Sequence, residues 1–139
     1  MNIQFLSNRY TIRNLLPQDA EMIYEVLRKN TIFYEYHPPM VTVESILEDM
    51  EALPPNKGYE DKHYIGFFDE DTLIAVMDLI EHYPKPGTAL LGFFAMNANL
   101  QGQGIGTDII SDSVDYLTQV GFQKIRLGID KGNPQSKAF

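Results

Sequence analysis

The chain has 139 residues, 44% of them hydrophobic and 22% charged, with a formal net charge of -8. That length fits one domain with a packed core, and the negative charge repels polyanions, so nucleic acid and anionic membrane surfaces are excluded as partners. With no cysteine there is no disulfide framework, thiolate metal site or cysteine nucleophile, and His37, His63 and His82 are the only imidazoles. No apolar run reaches the roughly 20 residues that span a bilayer, and residues 1–10 lack the layout of a signal peptide, which points to a cytoplasmic protein.

Tyr10, Ile12 and Leu15 form a short extended stretch. Pro17, Gln18 and Asp19 then open a segment whose Ala20, Ile23, Tyr24, Val26 and Leu27 recur at helical spacing. Residues 30–40 are aromatic and irregular. Thr42 caps a second predicted helix that turns Val43, Ile46, Leu47, Met50 and Leu53 inward, and Pro54 and Pro55 stop it. The middle of the chain is β. Residues 64–68 and 72–81 flank the polar turn Asp69, Glu70 and Asp71 and predict a hairpin. A turn over residues 84–87 leads into residues 89–96, a run apolar on both sides that predicts a central strand. After a glycine-rich loop comes a helix with Ile105, Ile109, Ile110, Val114 and Leu117 inward, ended near Gly121 by a left-handed cap. Ile125, Leu127 and Ile129 alternate as one more strand, and Asn133, Pro134, Gln135 and Ser136 look like the start of a further helix. The order β-α-α-β-β-β-α-β, with that last short helix, predicts a mixed α/β sheet in a single domain over residues 1–139.

Gln101, Gly102, Gln103, Gly104, Ile105, Gly106 and Thr107 lie between a buried strand and an amphipathic helix, where main-chain N–H groups and the helix dipole converge. A phosphate suits that point, and glycine lets the main chain approach it closely and take φ > 0. The plainer reading is a tight connection whose glycines let strand and helix pack. A Walker loop is absent, since no Gly-x-x-x-x-Gly-Lys-Ser/Thr occurs. A dinucleotide fingerprint would place Asp130 on the ribose. Against it, Thr107 stands where the third glycine belongs, Asn97, Ala98, Asn99 and Leu100 separate strand from loop, and only nine residues follow Asp130.

Residues 94–106, followed by a helix, a strand over residues 124–130 and then Gly132, Asn133, Pro134, Gln135 and Ser136, resemble the GNAT superfamily of N-acetyltransferases. The match includes that family's Gln/Arg-x-x-Gly-x-Gly/Ala signature at Gln101, Gly104 and Gly106, and its Asn-x-x-Ser at Asn133 and Ser136. The opening Tyr10, Thr11, Ile12 and Arg13, with Pro17 and Asp19 before the first helix, is similar too, whereas Ala98 stands where the family often has proline. The resemblance implies the acyl-CoA N-acyltransferase fold and acetyl-CoA as co-substrate, with no metal, lying in a V-shaped gap between the strand 89–96 and the strand after it. It implies that Phe94 and Met96 pair with the pantetheine arm, that Gln101, Gly102, Gln103, Gly104, Ile105, Gly106 and Thr107 hold the pyrophosphate, and that Asn133 lies against the pantetheine. It further implies acetyl transfer to a primary amine of a small molecule, amino acid or peptide. Family members usually continue past Asn-x-x-Ser with more helix and two strands, so the domain is expected to be incomplete at its C-terminus. The position of the family's thiolate-protonating tyrosine would lie beyond Phe139.

Without cysteine, direct attack of the amine in a ternary complex is favoured over an enzyme thioester. A main-chain N–H near Met96 would stabilise the oxyanion. An amine is mostly protonated at neutral pH, so a base must take a proton, and Asp78, Glu81, His82 and Tyr83 are the nearest titratable groups. Glu81 is the choice among them, against the plainer reading of a solvated carboxylate at a strand end. Tyr34, Glu35 and Tyr36, in the irregular segment, would form an aromatic and acidic cup for a cationic amine, or else fill the space between two helices. A noncatalytic acyl-CoA-binding or interaction module is the alternative function. An exposed edge at the last strand would be covered by a second copy of the chain, making a homodimer.

Overall fold

The computed structural model describes residues 1–28, 41–100 and 102–127. Five strands, β1 (Thr11–Asn14), β2 (Lys62–Asp69), β3 (Thr72–Glu81), β4 (Thr88–Met96) and β5 (Lys124–Leu127), form one sheet in sequence order. The first four pair antiparallel, and β5 joins β4 in parallel after a helical crossover, as a parallel neighbour requires. Among the described residues the α-helices are α1 (Ala20–Leu27), α2 (Val43–Glu51) and α3 (Ile105–Gln119). This is the mixed α/β sheet that the element order predicts, in the arrangement that the resemblance implies for an acyl-CoA N-acyltransferase. Tyr34, Glu35, Tyr36, Gln101 and Asn133 lie outside the described residues, as do Asp130 and the predicted last helix.

Alternation along the strands builds two cores. Ile12, Ile65, Phe67, Met77 and Leu79 pack with Ile105, Ile109 and Leu117 of α3 and with Leu6 of the 3-10 turn Ile3–Leu6. Leu15, Tyr64, Val76 and Ala95 pack with Ile23 and Leu27 of α1 and Ile46 of α2. The sheet is therefore covered on both faces, which is why its central strands read as nearly continuous apolar runs. Ser113, a polar residue on the buried stripe of α3, is fully buried and donates its hydroxyl to the Leu6 carbonyl at 3.0 Å, satisfying the group it hides.

The helix ends follow the sequence signals. The Thr42 hydroxyl accepts from the Ser45 N–H at 3.0 Å, and the Ser45 hydroxyl accepts from the Thr42 N–H at 2.9 Å, a reciprocal cap on α2. That helix stops at Glu51, so Leu53 lies outside it. At the other end of α3, Gly121 takes φ 110, Phe122 N–H bonds the Leu117 carbonyl at 3.0 Å, and Gly121 N–H bonds the Thr118 carbonyl at 3.1 Å. Phe122 and Leu117 share the same core, which completes a Schellman closure.

Two details depart from the sequence pattern. β2 starts at Lys62 rather than residue 64, because Lys62 and His63 pair with Ile80 and Leu79 despite their polarity. The β3–β4 register also shifts: Asp78 faces Phe93 but Leu79 faces Leu91, leaving Gly92 as an extra residue in β4. The bulge swaps the sides of the strand. Ala89 and Leu91 before it, and Phe94 and Met96 after it, all serve the α3 core, while Phe93 and Ala95 turn to the α1/α2 side.

Candidate active site

β4 changes character at the bulge. Among the described residues, 88–91 pair with residues 124–127 of β5, where the described part of that strand ends, and β4 runs on to Met96. Gly92 is exposed, and Phe93 and Phe94 are only half-buried, although a strand apolar on both sides should be covered throughout. The Asn97 N–H bonds the Ile74 carbonyl of β3 at 2.8 Å. By the alternation of a strand, the N–H groups of Phe94 and Met96 then point the other way, toward the β5 side. A ligand arm laid along β4 on that side would meet them.

Asn97 also sets the path out of the strand. Its side-chain amide donates to the Leu73 carbonyl at 3.0 Å, its side-chain oxygen accepts from Asn99 N–H at 3.1 Å, and its own carbonyl accepts from Leu100 N–H at 2.9 Å. This Asx turn explains why four residues separate strand and loop. Sequence reasoning counted them only as a gap, although an asparagine at a strand end is a turn signal.

The loop then presents main-chain donors. Gly102 and Gly104 take φ 80 and φ 78, values that L side chains adopt at a cost, and a Cβ built on either would meet nothing within 4 Å. The glycines are thus required by conformation, and the space above them is open, as a diphosphate needs. Gly104 caps α3, and the first helical bond runs from Asp108 N–H to the Gly104 carbonyl at 3.1 Å, so the N–H groups of Ile105, Gly106 and Thr107 have no helical acceptor. The dipole of this 15-residue helix adds positive potential at the same point. Ile105 and Gly106 are buried and hold the turn against the sheet, while Thr107 and Gln103 are exposed beside it. The described residues of this loop therefore fit an anion held by main chain rather than by a cationic side chain.

Two carboxylates of β3 have basic partners on β2. Lys62 Nζ reaches both carboxylate oxygens of Asp78, at 2.9 and 3.0 Å, with the Lys62 side chain 3% and the Asp78 side chain 18% exposed. Burial holds the Asp78 carboxyl above the ordinary carboxylate range, with Lys62 and His63 pulling against that rise. The Asp49 carboxyl on α2 is raised too, by desolvation and then by the Asp78 charge, although the residue as a whole is exposed. The second pair is His63 Nε2 to Glu81 Oε2 at 2.6 Å.

Glu81, expected as the base, is not brought to Phe94 and Met96. It pairs with Ala89, before the bulge, on the sheet face opposite Phe93, and its carboxylate is engaged by His63. With His82 and Phe122 it lines a cavity of about 190 Å³. The exposed His82 spends its Nδ1 accepting from Gly87 N–H at 3.0 Å. Asp78, by contrast, stands directly across from Phe93. Among the described residues no group of three His, Cys, Asp or Glu side chains could hold a metal ion, and no helix is long and apolar enough to cross a membrane.

Comparison with known proteins bears on the whole arrangement. The family model described as "Acetyltransferase (GNAT) family" matches residues 20–139. No curated protein matches the sequence. Among solved structures, an acetyltransferase from Thermus thermophilus is similar with TM-score 0.73 and 19% identity, over 92% of this chain and 80% of the other. The PaiA N-acetyltransferase of Thermoplasma acidophilum, solved in complex with coenzyme A, is similar with TM-score 0.63 and 20% identity, over 92% and 84%. The ribosomal-protein-S18-alanine N-acetyltransferase of Escherichia coli gives TM-score 0.61 and 18% identity, over 92% and 72%. At these identities the structures speak for the fold, and the family model speaks for the lineage. The glycine loop, the strand that leads into it and the helix it caps are thus those of a chain that belongs to the acetyltransferase (GNAT) family of acetyl-CoA-dependent acyltransferases.

Proposed function

We propose that the protein moves the acetyl group of acetyl-CoA to a primary amine of a small molecule, amino acid or peptide, by direct attack within a ternary complex. The observation that carries this reading is the loop after β4, where Gly102 and Gly104 are both left-handed and open above, and α3 offers its unpaired N–H groups. In it, Gly102, Gln103, Gly104, Ile105, Gly106 and Thr107, with Gln101, hold the pyrophosphate. The main chain of Phe94 and Met96 orients the pantetheine arm, with Asn133 beside it, and the Met96 N–H stabilises the oxyanion. Tyr34, Glu35 and Tyr36 receive the acceptor amine. The absence of cysteine supports direct transfer over an enzyme thioester. One structural neighbour was solved with coenzyme A, another is an aminoglycoside acetyltransferase solved with sisomicin, and a third is an alanine N-acetyltransferase, a range that fits a small-molecule or peptide amine.

Titration calorimetry with acetyl-CoA, followed by free-thiol release over a panel of amines, tests the reading. Binding together with amine-dependent thiol release is expected. Binding without release from any amine would leave an acyl-CoA-binding module, and failure to bind would remove both.

A further inference from the structure

We propose that Asp78 is the proton acceptor for the incoming amine, and that Lys62 is the positioning residue that holds its carboxylate beside Phe93 at the bulge of β4. This rests on the acetyl-transfer reading above. The geometry has three parts. Gly92 drops out of the β3–β4 register beside Asp78, and a Cβ placed on it would lie 3.8 Å from the Asp78 main-chain carbonyl, so the exposed bulge adjoins the Asp78 backbone. Asp78 lies on the α1/α2 side, the side to which the bulge turns Phe93 and Ala95. Its carboxylate retains solvent access, while the Lys62 ammonium that grips both its oxygens has almost none.

The pairing suits a base. A buried ammonium keeps a carboxylate beside it, which fixes the Asp78 side chain in one orientation. Burial then makes that carboxylate a better proton acceptor than a free one, and Lys62 keeps it ionised. The groups facing it are Lys62 and Tyr64 from β2 and Asp49 from α2, with His63 acting on it from the other face of β2, while β4 sets Phe93 opposite and α1 turns the apolar Ile23 and Leu27 to this core. In the reaction, the nitrogen lone pair forms the new C–N bond and the C–S bond breaks with its electron pair leaving on sulfur. Of the two protons that the ammonium form of the acceptor loses, one passes to Asp78, directly or through water, and on to solvent. The other ends on the thiolate, so that free CoA, the amide and one released proton balance the equation.

The test uses acetyl-CoA with spermidine, an aminoglycoside and a peptide with N-terminal alanine, reading thiol release against pH and acetyl-CoA affinity by calorimetry. Asp78→Asn should lower release about 100-fold or more, within the range of general-base loss, with acetyl-CoA affinity within about twofold of wild type. Asp78→Glu should recover part of the rate. Lys62→Met removes the cation that lowers the Asp78 carboxyl, so the acid limb of kcat/KM should move to higher pH, a shift that a purely structural ion pair would not produce. Wild-type rate and acid limb in Asp78→Asn would overturn the proposal and leave acetyl transfer standing. If Asp78→Asn does not fold, Lys62→Met decides: a raised limb supports the proposal and an unmoved limb overturns it. A wild-type protein that binds acetyl-CoA but releases no thiol with any of the three amines overturns the acetyl-transfer reading, and this proposal with it.

Discussion

Asp78 and Glu81 stand three residues apart on β3, each bound to a basic side chain of β2, yet they serve different places. Glu81 faces the α3 side across from Ala89 of β4, with His63 at 2.6 Å. Asp78 faces the α1/α2 side at the bulge, gripped by a lysine that is itself almost wholly buried. The difference teaches that the position of a carboxylate relative to a neighbouring strand's irregularity matters more than its nearness to a strand end. An acid at the end of a strand is easily solvated and easily paired. An acid in mid-strand, among apolar neighbours, has to be held there by something.

The sharpest way to break this comparison is to neutralise each acid in turn. Asp78→Asn should cost about 100-fold or more in thiol release, and Glu81→Gln should cost at least tenfold less than that. Equal losses, measured as kcat/KM with the same amine, would erase the distinction between the two sites. Next comes the part of β4 before the bulge. Leu91 is 3% exposed in the α3 core, so Leu91→Ala should remove about 2–5 kcal/mol of stability in urea unfolding. If the halves are independent, the acid limb of the pH profile should stay where it is in that variant.

A smaller effect is expected at the loop. Gly104→Ala meets no atom but must hold φ 78, which costs about 1–2 kcal/mol. If relief of that strain moves the N–H groups off the anion, acetyl-CoA affinity should fall about tenfold by calorimetry, since about 1.4 kcal/mol corresponds to a factor of ten. The smallest is the pair of Arg13 and Asp19, a reference for what an ion pair contributes when its cation is exposed, unlike the buried Lys62. Arg13 Nη1 lies 2.9 Å from Asp19, but its side chain is 46% exposed, so Asp19→Asn should cost no more than about 1 kcal/mol at neutral pH.

The two acids should also titrate with opposite sign. The Arg13 hydrogen bond holds Asp19 below its ordinary value of 3.8, so the unfolded chain binds more protons there. The pair's contribution is present above 3.8 and is lost as pH falls through the folded value. Burial holds Asp78 above the same ordinary value, so its ionisation weighs against folding, and that term grows as pH rises from 3.8 through the folded value. Melting each Asp→Asn variant beside wild type from pH 3 upward would read both slopes, and slopes of the same sign would contradict the assignment of burial as the dominant cause at Asp78.

Much of this was legible in the sequence because it follows from short-range rules. The Thr42 cap, the Gly121 stop and the period-2 and period-3.6 patterns depend on neighbours within one or two turns of chain. The loop was legible for the same reason: Gln101, Gly104 and Gly106 form a local signature, and the left-handed φ at Gly102 and Gly104 is a property of glycine itself. Glu81 shows the limit. Its place at a strand end was evident, but its His63 partner comes from another strand 18 residues away, and no local rule reports it.

The sequence by itself determined the family signature, the element order and the glycine-rich start of α3, since each depends on residue type at fixed short spacing. Only the tertiary structure decided which carboxylate stands across from the bulge of β4. That choice hangs on a one-residue bulge at Gly92, which changes which side chains share a face, and on a lysine from the adjacent strand that makes a mid-strand aspartate tolerable.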